Sequence, residues 1–178
     1  SRKNSVTLGI LLSLFLGLRE SEICGLKYGD IDLKNKIIYI NRIVSRVRSF
    51  DTKNKTKLIV TKPKTEKSKR ELPIPDKIFN KIKKNKKLNK SSSYFLTNDE
   101  YFMDPRLFYK KYKKILNNLN LSNYTFHDLR HTFASNCVEL GIDPKTLMEL
   151  LGHSNVSTTL NIYVHSSMDN KRTYINKL

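Results

Sequence analysis

The stretch FHDLRHTFAS, residues 126–135, sets His127, Arg130 and His131 at i, i+3 and i+4. On a helix these side chains emerge from one stripe. Two chemistries use such a stripe. Paired imidazoles can hold zinc, and imidazoles beside a guanidinium can cradle a phosphate. Zinc fits poorly. The residue after His127 is Asp128 rather than the glutamate base of H-E-x-x-H, and Arg130 sets a fixed positive charge where a divalent cation would sit. The plain alternative is that both histidines only pack.

Other segments extend the phosphate reading. LGHSNVSTTLNIYVH places His153 after a Gly152 helix stop and Tyr163 ten residues on. GLRESEI puts Arg19 at the end of an apolar run, with Glu22 one turn later. PKTEKSKRELPIP reads as part of a hairpin with Lys64 at its tip. Arginines, histidines, a lysine and a tyrosine are the groups that phosphoryl transfer without a metal needs. Guanidiniums fork the non-bridging oxygens and stabilise the charge that grows there. A tyrosine oxygen attacks phosphorus and holds it covalently, provided cationic neighbours lower its pKa of about 10. A lysine hands the departing sugar oxygen a proton.

The elements that must position these groups read as a mixed, mainly helical chain. Val6–Leu16 reads as a buried helix, and a short helix after Arg19 carries Ile23, Cys24 and Leu26 inward. Residues 36–47 read as one strand. Strands near 57–62 and 70–74 form a hairpin, completing a small three-stranded antiparallel sheet. Asp76–Lys87 is a lysine-rich amphipathic helix. Pro105–Leu119 is another, with Leu107, Phe108, Tyr112, Ile115 and Leu116 on its apolar side. Thr125 and Asp128 make a capping box for the helix that ends at Gly141, in which Phe126, Leu129, Phe133 and Leu140 are core candidates. Asp143-Pro144 opens the next helix, residues 157–163 form a short one, and residues 167–178 form a polar helical tail.

Composition narrows the partner. The 178 residues carry 34 Lys+Arg against 16 Asp+Glu, a formal net charge of +18. A polyanion partner, most commonly nucleic acid, follows from that excess; a generic basic protein is the bland alternative. Cys24 and Cys137 lack metal-ligand spacing and read as core thiols of a reducing compartment. The apolar run Leu8–Leu18 is too short and interrupted to span a bilayer, and no secretory cleavage site follows it.

Taken in order, GLRESE, the hairpin lysine, HDLRH, LGH and the downstream tyrosine resemble the catalytic domain of the tyrosine recombinases, the integrases of phages and conjugative transposons and their chromosome-resolving relatives. Each motif alone is weak; the ordered set is specific. The resemblance covers nearly the whole chain and implies an α+β, mainly α fold of the integrase catalytic-core type. It implies Tyr163 as a nucleophile that forms a 3′-phosphotyrosyl link, Arg19 and Arg130 as the phosphate clamp, and a hairpin lysine as general acid, Lys64 with Lys62, Lys67 and Lys69 as its competitors. His127 assists proton transfer or donates to the phosphate, and His153 donates a further hydrogen bond. Glu22 and His131 orient the site from behind. No metal or cofactor is called for. The implied partners are double-stranded DNA, copies of the chain in a synaptic tetramer on that DNA, and an accessory directionality factor. The implied location is the bacterial cytoplasm, at the nucleoid during action. Residues 1–178 would form the catalytic domain, without the N-terminal DNA-binding region, and residues 166–178 would dock on a neighbouring subunit through Ile175 and Leu178. Two rivals stand beside this: a non-catalytic helix-turn-helix binder built on the helices joined at LGIDP, and a topoisomerase-IB-like DNA relaxer.

Overall fold

The computed structural model describes residues 2–49, 55–63 and 68–163, with residues 172, 175 and 176. Lys64, His165, Leu178 and most of the tail fall outside the described residues. The elements run α1 (Arg2–Leu16), α2 (Glu20–Gly25), a 3-10 turn (Tyr28–Asp30), β1 (Ile31–Asp32), β2 (Ile37–Ile40), β3 (Ile43–Arg48), β4 (Thr56–Thr61), β5 (Arg70–Pro73), α3 (Asp76–Lys87), α4 (Pro105–Asn118), α5 (Phe126–Glu139), α6 (Pro144–Leu151) and α7 (Val156–Tyr163).

α1 is the central helix because it is apolar on most of its circumference. It buries Val6, Leu8, Leu12 and Leu16 among α2, α3, α4 and α5. Its polar interior positions are satisfied: the Ser13 hydroxyl donates to the Leu18 carbonyl at 2.9 Å. Gly17 ends it at φ +65°, and a Cβ there would lie 2.5 Å from Phe133. Only glycine accepts both the left-handed backbone and the contact. The chain is thereby turned so that Leu18 is buried and Arg19 starts α2.

The strands differ from the single hairpin expected. Residues 36–47 are two strands broken at Asn41-Arg42, whose side chains bond to the buried carboxylate of Asp30. β2 pairs with β1 and with β5, in register Ile38↔Leu72 and Ile40↔Arg70. β3 pairs with β4, in register Val44↔Val60. The expected 57–62 with 70–74 pairing is therefore replaced by two separate ladders. The reason is burial. Ile38, Ile40 and Leu72 form one inward face over the main core, whereas β4 has no fully buried residue to place there.

The helices follow their local signals closely. α5 starts at a Thr125–Asp128 capping box. It ends with Gly141 N–H bonded to the Val138 carbonyl and Ile142 N–H to that of Cys137, a Schellman closure. Two apolar expectations fail. Leu140 is 81% exposed, because the closure tucks Ile142 inward in its place. Leu107 is exposed because α4 buries Phe108, Tyr112 and Leu116, one i, i+4, i+8 row. A second, smaller cluster of Ala134, Cys137, Leu147 and Leu151 lies between α5 and α6, flanked by Phe133, Ile142, Ile162 and Tyr163. Among the described residues no helix is long and apolar enough to cross a membrane.

Candidate active site

The site is built on the C-terminal end of α6. Asp143 caps the start of this helix, accepting from the Thr146 N–H at 3.0 Å, and Pro144 follows. Gly152 stops it in the left-handed conformation, φ +62°. The last carbonyls of a helix lack intrahelical partners and carry the negative end of its dipole. Here three consecutive carbonyls are met by three arginines from distant segments. Arg70 Nε donates to Leu150 O at 2.7 Å, Arg130 Nη2 to Leu151 O at 2.7 Å, and Arg19 Nη2 to Gly152 O at 3.3 Å.

Glu22 completes the arrangement. Its carboxylate accepts from Arg19 Nη1 at 2.9 Å, from the Arg19 backbone N–H at 2.8 Å, and from Arg70 Nη1 and Nη2 at 2.8 and 3.1 Å. Burial alone would raise its pKa. The Arg70 hydrogen bonds and charge, with the charge of Arg19, outweigh that and hold it below the ordinary carboxylate value. Arg130 is buried and also donates to Gly17 O at 2.5 Å. Burial, then the positive charges of Arg19 and Arg70, push its pKa down to about 9, with Glu22 opposing. Three guanidiniums thus share one carboxylate, and the excess of positive charge is a place for an anion.

His153 follows Gly152 directly. Its Nδ1 lies 2.9 Å from the hydroxyl of fully buried Thr159. A threonine hydroxyl donating to Nδ1 leaves the ring proton on Nε2, ready to be donated outward. Burial first, then Arg130, Arg19, Arg70 and His127, lower the His153 pKa to about 4, so the ring is neutral near pH 7. His127, on the first turn of α5, is exposed and lines an open cleft of about 470 Å³ with Arg19 and Arg130. Burial, then His131 and Arg130, lower its pKa, against the opposing charge of Asp128. His131 meets the His127 ring edge-to-face at 4.6 Å but otherwise faces a separate groove with Asn123 and Thr132.

The expected set is therefore only partly assembled. Arg19, Glu22, His127, Arg130 and His153 come together, and His131 stands behind His127. Lys64 lies outside the described residues. Tyr163 sits on the small apolar cluster, and its hydroxyl donates to the Ile142 carbonyl, just before α6 begins. That is the other end of α6 from the arginines, roughly 12 Å away for eight residues at about 1.5 Å each. Arg70 and Thr159 belong to the arrangement and do not stand out in the sequence. Arg70 carries one signal there: it shares inward strand parity with Leu72, an odd place for a charge.

A family model described as the phage integrase family matches residues 2–170, and the chain belongs to that family. A XerC-like tyrosine recombinase of Caldanaerobacter subterraneus subsp. tengcongensis is 38% identical over 172 residues, covering 87% of this chain and 44% of the relative. The transposase of transposon Tn916 from Enterococcus faecalis is 30% identical over 186 residues, covering 95% of this chain and 44% of the relative. The chain thus spans less than half the length of these two relatives. Among solved structures, the Tn1549 transposon integrase in complex with a circular intermediate DNA superposes with a TM-score of 0.76 at 26% identity, over 95% of this chain and 57% of that one. The XerA recombinase matches at 0.65 and 21%, over 99% of this chain and 62% of that one, which shows the shared fold.

Proposed function

We propose that this chain is the catalytic unit of a site-specific DNA recombinase that cuts and rejoins strands through a 3′-phosphotyrosyl intermediate, in integration and excision of a mobile element. The observation that carries the reading is the convergence of Arg19, Arg130 and His153 on one end of α6, with the positive excess a phosphodiester needs. The transposon relative and the DNA-bound transposon integrase support the substrate class.

In this reading Arg19 and Arg130 bind the non-bridging oxygens and His153 Nε2–H donates to one of them. The Tyr163 oxygen loses its proton and bonds to phosphorus as the bond to the 5′ oxygen breaks. That oxygen takes a proton from the Lys64 ammonium, and His127 assists the transfer of the tyrosine proton. Rejoining is the reverse, with a 5′-hydroxyl as nucleophile, so the energy of the broken bond is kept in the covalent link. Tyr163 must first leave the Ile142 carbonyl and travel along α6. Synapsis of four copies on double-stranded DNA, and a directionality factor, belong to the same proposal.

The test is incubation with a randomised pool of nicked DNA duplexes in which cleavage releases a short fragment and traps the enzyme. The expected result is a covalent protein–DNA adduct that survives denaturation and is absent with Tyr163→Phe. An adduct undiminished in that variant refutes the nucleophile. No adduct from the unsubstituted chain refutes the function.

A further inference from the structure

We propose that Arg70 is a positioning residue for the phosphate clamp: it holds Glu22 and the end of α6 so that Arg19 keeps part of its guanidinium for the substrate. The proposal rests on the functional reading above.

Exposure separates the roles. The side chain of Arg19 is 37% exposed, whereas those of Arg70 and Glu22 are 6% and 2% exposed. Arg19 can meet a ligand; Arg70 is sealed behind it. Arg70 forks both Glu22 oxygens, bonds Leu150 O through Nε and reaches Ser68 O at 3.3 Å through Nη1. It therefore ties β5 to α2 and α6 at the point where Arg19 is anchored. Gly152 is shaped to it: a Cβ there would lie 2.9 Å from Arg70 Nη1 and 3.1 Å from its Cδ.

The consequence concerns competition for Arg19. Glu22 is buried and needs its charge matched. Arg70 supplies two of the hydrogen bonds it accepts. Without Arg70, the nearest cation able to replace them is Arg19, which already donates to Oε1 through Nη1. A guanidinium forking Glu22 with both terminal nitrogens turns its donors away from the phosphate. Arg70 thereby keeps an attractive internal anion from capturing the clamp.

The test uses the DNA sequence recovered from the pool above, made once with a normal scissile phosphodiester and once with a methylphosphonate, which carries no charge for a clamp to match. Arg19→Ala is the reference. Arg70→Met is expected to slow single-turnover adduct formation on the phosphodiester by about 10–100-fold, the scale of losing an orienting partner, and by under about threefold on the methylphosphonate. Adding Glu22→Gln to Arg70→Met removes the competing anion and is expected to restore most of the phosphodiester rate. That double variant also covers the case in which Arg70→Met alone fails to fold. Equal slowing on both substrates, or a double variant no faster than the single one, overturns the proposal and leaves the functional reading standing. An unsubstituted chain that forms no adduct overturns both.

Discussion

Gly152→Ala probes the geometry on which the site depends, and its cost can be worked out. An alanine held at φ +62° costs about 1–2 kcal/mol in backbone energy. Its Cβ also meets Arg70 Nη1 at 2.9 Å, Cδ at 3.1 Å and Cζ at 3.2 Å. An arginine tip elsewhere would swing aside at little cost. This one is held by Glu22, Leu150 and Ser68, so moving it breaks at least one charge-assisted bond, about 1.5–3 kcal/mol. The sum is about 2.5–5 kcal/mol, read from urea unfolding at unchanged m. In an Arg70→Ala background all three contacting atoms are gone, and the same substitution should cost only the backbone share, about 1–2 kcal/mol. Equal costs in the two backgrounds would refute the claim that Gly152 is kept small for Arg70. A cost below about 0.5 kcal/mol, the range of ordinary surface changes, would refute the backbone strain as well.

Two further outcomes concern pH. Glu20 lines the cleft beside Arg19, and its buried Oε1 has no hydrogen-bond partner among the described residues. Burial first, then the nearby Asp104 charge, raise its pKa to about 7, against a hydrogen bond at Tyr109. The folded state thus holds this proton more tightly than the unfolded state. Its contribution to stability is complete below the ordinary value of 4.5 and lost as pH rises through about 7. Glu20→Gln should therefore match the unsubstituted chain below about pH 4.5, exceed it increasingly between there and about pH 7, and hold a level advantage above that in pH-dependent urea unfolding; a difference that does not change across the 4.5–7 interval would contradict this. His153 behaves with the opposite sign. Its folded pKa of about 4 lies below the ordinary 6.5, so it releases its proton on folding, and its contribution is lost as pH falls through that interval. Its ring resonances should stay those of neutral imidazole down to about pH 5, and titration near 6.5 would show that the arginines do not crowd it.

Much of the fold is legible in the sequence because its signals are local. The Thr125–Asp128 box, Asp143-Pro144, Gly141 and Gly152 delimit α5 and α6 through hydrogen bonds spanning a few residues. Helical periodicity by itself sets His127, Arg130 and His131 on one stripe of α5. Which strands pair is a different kind of question. β5 lies against β2 because Leu72 and Ile38 bury one face together, and that depends on what a residue meets across the chain. Beyond its inward strand parity, the role of Arg70 is hidden for the same reason: the three-arginine fan exists only once α2, β5, α5 and α6 are packed. The place of Tyr163 is likewise tertiary: spacing from His153 singles the residue out, but only packing on the cluster of Ala134, Cys137, Leu147 and Leu151 and the bond to the Ile142 carbonyl set where its hydroxyl lies. Residue type and short-range spacing point to the chemistry proposed for this protein; long-range burial and charge matching decided which groups stand together.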